Sequence, residues 1–247
     1  MKLGIFQDIH GNLPALKKGV ETFRDNGCEK IFHVGDLIGI GPYPKECMDF
    51  AFSIEEMDFV MGNHDYWYAY GLPNPIPDWM SEEEVKHRSW INLQVGNDYR
   101  DRVKKWRFSK DYPIGIDRKL TFQHYGLNRK QNWFASRIEN PSIEELDILF
   151  NGIDSEMIFY GHMHKENDQT GRCRYINLGS AGCYNKPEVR IGILEILEDK
   201  IELEKLSVQY HDNGLMEEFE IRKVPVRERI TSSIIRRNNE QKYVGKI

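Results

Sequence analysis

The order of apolar and polar positions predicts short strands alternating with helices over the first quarter of the chain. Residues 1–6 read as a brief, mostly apolar strand. Leu13, Leu16, Val20 and Phe23 then recur at helical spacing. Pro14 falls in the first turn, where its missing N–H is harmless, and Gly27 stops the helix. Residues 31–34 predict a second strand, 44–52 a helix and 57–61 a third strand. Such alternation implies a parallel sheet.

From Tyr66 to Lys110 the pattern becomes polar and aromatic, and Ser81-Glu82-Glu83-Glu84 is a capping-box opening for a helix, so a helical insertion is expected there. Residues 119–124 alternate like a strand, and Pro141-Ser142 opens a helix with Ile143, Leu146, Leu149 and Phe150 on its apolar face. Strands follow at 156–160 and 174–178, then a hairpin of 190–196 and 200–206 around Glu198-Asp199. The end of the chain, from Lys223, is basic and weakly patterned. There is no repeat or linker, so a single domain over 1–247 is predicted, with a helical tail over about 213–247.

Composition narrows the class. With 247 residues, 40% hydrophobic and 30% charged, the chain can bury a core and reads as soluble and globular. No apolar run is long enough to span a bilayer, and Asp8 interrupts the N-terminus too early for a secretory signal, so a cytoplasmic protein is expected. Cys28, Cys47, Cys173 and Cys183 form no CxxC pair and read as reduced thiols. A net charge of -5 argues against a general nucleic-acid binder. It leaves room for an anionic substrate where bound cations supply the positive charge.

Polar residues with ligand chemistry gather where predicted strands run out. They are Asp8 and His10 in FQDIHGN, Asp36 in VGDLIGIGP, Asn63 and His64 in GNHD, His124 in FQHYG, and His162 and His164 in YGHMH. Ligands in α/β proteins collect beyond the carboxyl ends of strands. In an extended chain residues two apart face one side, which makes Asp8/His10 and His162/His164 two pincers. Seven donors exceed what one transition-metal ion needs, but two ions sharing Asp36 would use them all. His33, His87 and His211 read as packing or surface residues.

The motifs D-x-H, G-D, G-N-H-D, H and G-H-x-H, in this order over residues 1–182, resemble those of the calcineurin-like metallophosphoesterases. DIHGNLPAL and GDLIGIGPYP look most like the small bacterial and archaeal phosphodiesterase-type members. The resemblance implies an α/β (α+β) fold, a two-sheet β-sandwich flanked by helices in four layers (α/β/β/α), with a dinuclear centre at one edge. One ion would take Asp8, His10, Asp36 and His164, and the other Asp36, Asn63, His124 and His162. The ions would activate a bridging hydroxide, with Asp36 as the bridge and His64 as the catalytic histidine facing the substrate. Asn12, Asn63, His64 and Tyr66 are the expected substrate contacts, with Trp67 as further lining.

Imidazole, carboxylate and amide donors without thiolate suit two divalent transition-metal ions, manganese first, then iron, zinc, nickel or cobalt. The function implied is hydrolysis of a small or nucleotide-like phosphate ester by a phosphodiesterase or phosphatase. No membrane or nucleic-acid partner is expected, and a homo-oligomer is compatible with the sequence. A nuclease on longer nucleic acid would need a basic groove. A non-catalytic metal-binding scaffold, such as the retromer subunit of this fold, would show lost ligands, and none is lost.

The aromatic run Tyr66, Trp67, Tyr68 and Tyr70, with Trp79, Trp90 and Trp106, reads mainly as the insertion's own core. The segment 177–182 resembles the family's loop after the last ligand pair, with Leu178 where proline is common, and is expected to border the site. Arg227, Arg229, Arg236 and Arg237 read as a solvated helix face. The carboxylate and arginine that some relatives carry just after G-D are missing from 37–42, which leaves the partner of His64 open, as is the role of Gln7.

Overall fold

The computed structural model describes residues 1–198, 200–212 and 214–234. Ten strands form two five-stranded mixed sheets. The first sheet runs β10-β9-β1-β2-β3, with β1 Lys2–Phe6, β2 Lys30–His33, β3 Met57–Phe59, β9 Glu188–Ile196 and β10 Ile201–Gln209. The second runs β4-β5-β6-β8-β7, with β4 Ser109–Gly115, β5 Arg118–Gln123, β6 Met157–Phe159, β7 Glu166–Thr170 and β8 Arg174–Leu178. The expected parallel order holds for β1-β2-β3 and β5-β6-β8, while β9, β10, β4 and β7 pair antiparallel at the margins.

The sheets face each other across one apolar layer. Leu3, Ile5, Phe32 and Val34 of the first meet Leu120, Phe122, Phe159 and Ile176 of the second. The Phe32 and Phe122 rings stack with centroids 3.9 Å apart. Each such side chain contributes about 1.5–3 kcal/mol on burial. Helix α1, Leu13–Asp25, covers the other face of the first sheet through Leu16, Val20 and Phe23. Helix α2, Pro44–Ala51, packs beside it through Cys47, Met48 and Ala51. The second sheet's outer face is covered by α6, Ile143–Leu149, through Leu146 and the following Phe150. Ile143, expected on that face, stays exposed at the first turn.

The insertion is helical, with α3 Asn63–Tyr70, α4 Glu82–Val95 and α5 Arg100–Val103, but it ends before β4, so Ser109 and Lys110 belong to a strand. Ser81 and Glu84 make the expected capping box. Beyond the hairpin, α7 Leu215–Ile221 and the single turn α8 Arg227–Arg229 pack Leu215, Phe219 and Ile230 against Ile40 and Cys183. The expected helical tail over about 213–247 is described only to residue 234, and Arg236 and Arg237 lie outside the described residues, as does Asp199 of the hairpin turn. No helix among the described residues is long and apolar enough to cross a membrane. None of the four cysteines forms a disulfide.

His33 illustrates a cost carried by the core. Its ring packs between Phe6 and Phe59, at 5.4 and 6.1 Å between centroids, and neither ring nitrogen has a hydrogen-bond partner among the described residues. Burial, aided by His124, pushes its imidazole down to about 3. Below about pH 6.5 the unfolded chain gains a proton that the folded protein refuses. This site's share of stability is thus full above pH 6.5 and falls in acid by about 1.4 kcal/mol per pH unit. Metal-free His33→Leu should gain on the parent by about 2 kcal/mol between pH 7 and pH 5 in urea unfolding. An unchanged difference at the two pH values would refute this.

Candidate metal centre

All seven expected ligands, and His64, come from the carboxyl ends of parallel strands. Asp8 and His10 follow β1, Asp36 follows β2, Asn63 and His64 open α3 after β3, His124 follows β5, and His162 and His164 follow β6. The loops are not extended, contrary to the pincer geometry read from spacing. Asp8, His10, Asp36, His162 and His164 all take left-handed backbone, with φ of 55°, 51°, 60°, 68° and 56°. Each such residue costs about 1–3 kcal/mol, so the surrounding bonds must hold it.

Those bonds are present. The Asp8 and His10 N–H groups donate to the carbonyls of Gly35 and Asp36 at 3.0 and 2.9 Å. The Asp65 carboxylate accepts from the N–H groups of Asp36, Leu37 and Gly62 at 2.7, 3.1 and 3.1 Å. Asp65 thus braces the Asp36 loop and is spent there. Gly62 has no alternative, because a Cβ would overlap the Asp36 carboxylate.

Two clusters result. In one, His10 Nε2 lies 2.7 Å from His164 Nε2, and each is 3.7 Å from Asp8 Oδ1. In the other, Asn63 Oδ1 lies 2.8 Å from His162 Nδ1 and 3.3 Å from His124 Nε2. Asp36 Oδ2 stands between them, 3.7 Å from His10 Nε2 and 3.3 Å from His124 Nε2. His124 Nδ1 donates to the Val34 carbonyl at 2.8 Å, which leaves Nε2 as a lone-pair donor facing inward. His64 Nε2 sits 3.8 Å from Asp36 Oδ2 at the rim.

Burial dominates the electrostatics. It pushes the Asp8 carboxyl up to about 7 against the pull of His124. It also lowers His10 well below the usual imidazole range, and His162 and His164 to about 3 and 4. Burial works the other way on Asp36, yet His124, His64 and His10 outweigh it and hold this carboxyl well below the usual range. The His124 imidazole loses to burial but gains more from Asp36 and Asp8, reaching about 9. His10, His162 and His164 are thus neutral donors and Asp36 is ionised, while a divalent cation would displace the proton that His124 keeps and any on Asp8, as ligand binding requires. The donor set therefore fits two such ions.

Other expected residues fall as follows. Asn12 is buried; its Oδ1 caps α1 and its amide hydrogens go to Gly182 O and Tyr210 Oη, so none remains for an ester. Tyr66 packs on Tyr70, Phe108 and Trp133, while Trp67 is the aromatic that meets His64, at 5.3 Å between ring centroids. Gln7 Nε2 donates to Asn177 Oδ1 and ties β1 to β8. The 177–182 loop borders the site, with Ser180 Oγ donating to Asp8 O at 2.7 Å. Sequence reading missed two neighbours. Cys183 places its sulfur within 4.8 Å of ring nitrogens of His10 and His164. Arg88 of α4 reaches His64 from the insertion.

Two facing mixed sheets between helices, with candidate metal-binding groups of histidine and aspartate at the joint strand ends, define a four-layer α/β/β/α protein. The chain belongs to the calcineurin-like phosphoesterase superfamily, whose domain matches residues 1–199. It is 27% identical over 167 residues to the uncharacterized protein MJ0912 of Methanocaldococcus jannaschii, an overlap of 66% of this chain and 62% of that one. The chain thus matches less than two thirds of that relative's length. In structure it resembles the hypothetical protein PH1004 from Pyrococcus horikoshii OT3, with a TM-score of 0.75 at 17% identity over 94% of this chain and 97% of the other. It also resembles a metallophosphoesterase from Sphaerobacter thermophilus, with a TM-score of 0.69 at 18% identity over 95% and 99%. At these identities both likenesses speak for the fold alone.

Proposed function

We propose that the protein is a dinuclear metal-dependent phosphoesterase acting on a small or nucleotide-like phosphate ester. The observation that supports this best is the pair of ligand clusters sharing Asp36, with His64 beside them and outside both assigned ligand sets. Asp8, His10, Asp36 and His164 would hold one ion, and Asp36, Asn63, His124 and His162 the other. Divalent ions there supply Lewis-acid charge and a water made acidic near neutral pH.

The protein's own groups do the rest. Asp65 fixes the Asp36 loop, and Val34 fixes the His124 tautomer, so the donors are set before the ions arrive. Asn63 uses Oδ1 toward the histidines and has an amide N–H2 to offer a phosphoryl oxygen. His64 is placed to donate a proton or hydrogen bond to the departing or equatorial oxygen. The net charge of -5 makes bound cations the means by which an anionic ester is accepted.

The test is a screen of stripped protein reloaded in turn with manganese, iron, zinc, nickel or cobalt. Turnover of an aryl phosphodiester is expected with at least one metal, and phosphomonoesters and nucleotides then rank the substrate class. Two bound ions per chain without turnover of any ester would leave a metal-binding scaffold instead.

A further inference from the structure

Arg88 has a contact that its helix does not need. It lies in the second turn of α4, and its guanidinium reaches out of the insertion to His64. One terminal nitrogen, Nη1, meets His64 Nδ1 and is also 3.5 Å from the Gly39 carbonyl oxygen. The guanidinium lies over the Trp67 ring, 4.7 Å from its centroid, and Trp67 touches the His64 ring in turn. Gly39 permits this approach, since a Cβ there would overlap the His64 ring.

The cation is poorly compensated for its position. Its Nε is buried without a hydrogen-bond partner among the described residues, and Asp36 and Glu84 act on it only through space. A half-buried guanidinium with a shielded, unpaired Nε and no hydrogen-bonded carboxylate carries a desolvation cost.

Chemistry fixes what the contact means. A guanidinium can only donate, so His64 Nδ1 must accept and carry no proton. The proton of the neutral ring is then on Nε2, the nitrogen that faces Asp36 Oδ2 at 3.8 Å. His64 presents an N–H to the centre, not a lone pair, which keeps it out of both ligand sets although it lies among ligand-capable groups with His10 and Asp36.

We propose that Arg88 is the positioning residue for His64, selecting its Nε2–H tautomer and aiming that N–H at the ester held in the centre. The helical insertion thereby supplies from another part of the chain what the segment 37–42 lacks. The kinetic side of this inference rests on the phosphoesterase reading; the tautomer does not.

The deciding experiment reads both. Two-bond proton–nitrogen correlation spectra of 15N-labelled, metal-free protein, with His64→Gln to assign the signal, should show His64 as the Nε2–H tautomer. Arg88→Met should convert it wholly or partly to Nδ1–H. Reloaded with manganese, Arg88→Met should keep its ions and lose about 10–100-fold in kcat with little change in KM. Free guanidinium should restore part of the rate to Arg88→Ala, the second variant. Arg102→Ala, whose guanidinium stacks on Phe52 elsewhere in the insertion, should behave as the parent. An Nε2–H signal unchanged in Arg88→Met overturns the proposal, as does an unchanged kcat. If the parent cleaves no ester, the phosphoesterase reading falls and the tautomer alone decides the role of Arg88.

Discussion

Asp36→Asn is expected to empty both metal sites and to lower turnover by about a thousandfold or more. The reason is the position of one oxygen. Oδ2 lies 3.3 Å from His124 Nε2 on one side and 3.7 Å from His10 Nε2 on the other, closer to both clusters than Asp8 Oδ1, which stands 3.7 Å from His10 Nε2 and 4.0 Å from His124 Nε2. Burial would raise this carboxyl, yet His124 and its neighbours keep it ionised. An amide offers neither the charge nor two equivalent oxygens. The fold should survive, because an amide oxygen can still accept from the His64 N–H as Oδ1 does at 2.8 Å. Metal analysis after dialysis is the measurement, with His162→Ala as a comparison that should weaken one site preferentially. Full retention of one ion in Asp36→Asn would show that the carboxylate is not shared.

The candidate ligands are legible because each is a polar interruption at the end of an apolar strand. Asp8 and His10 follow Phe6, Asp36 follows Val34, and His162 follows Tyr160, all with buried predecessors. The local geometry was not legible. Residue spacing suggests extended pincers, whereas five candidate ligands take left-handed backbone sustained by long-range bonds to Gly35, Asp36, Asp65, Asp8 and the 177–182 loop.

Two strands escaped notice for a different reason. β4 carries Pro113 and alternates between half-buried and exposed, and β7, Glu-Asn-Asp-Gln-Thr, has no apolar residue. Both are edge strands, where pairing and not burial makes the strand. Arg88 was invisible for a related reason. Its target lies 24 residues away in the first turn of α3, and a polar helix carries no pattern that says where one arginine points. Asp65, although adjacent to His64 in the chain, turns its carboxylate to the backbone of the Asp36 loop and not to that ring.

His64→Ala should separate chemistry from metal binding. Its Nε2 faces the shared carboxylate from 3.8 Å, yet its Nδ1 accepts from Arg88, so the ring enters the centre as a donor. Removing it takes away hydrogen-bond donation to the developing charge worth about 10²–10³ in rate, while two ions per chain stay bound. Steady-state kinetics and metal analysis on the same preparation measure the two quantities. A variant as active as the parent would strip His64 of its role, and one that lost an ion would make it a ligand. The coupling with Arg88 sharpens the outcome. If the guanidinium acts only by setting this ring, then in the His64→Ala background Arg88→Met should cost almost nothing more, because residues that act as a unit are not additive. Additive losses would instead mean that Arg88 meets the ester on its own account.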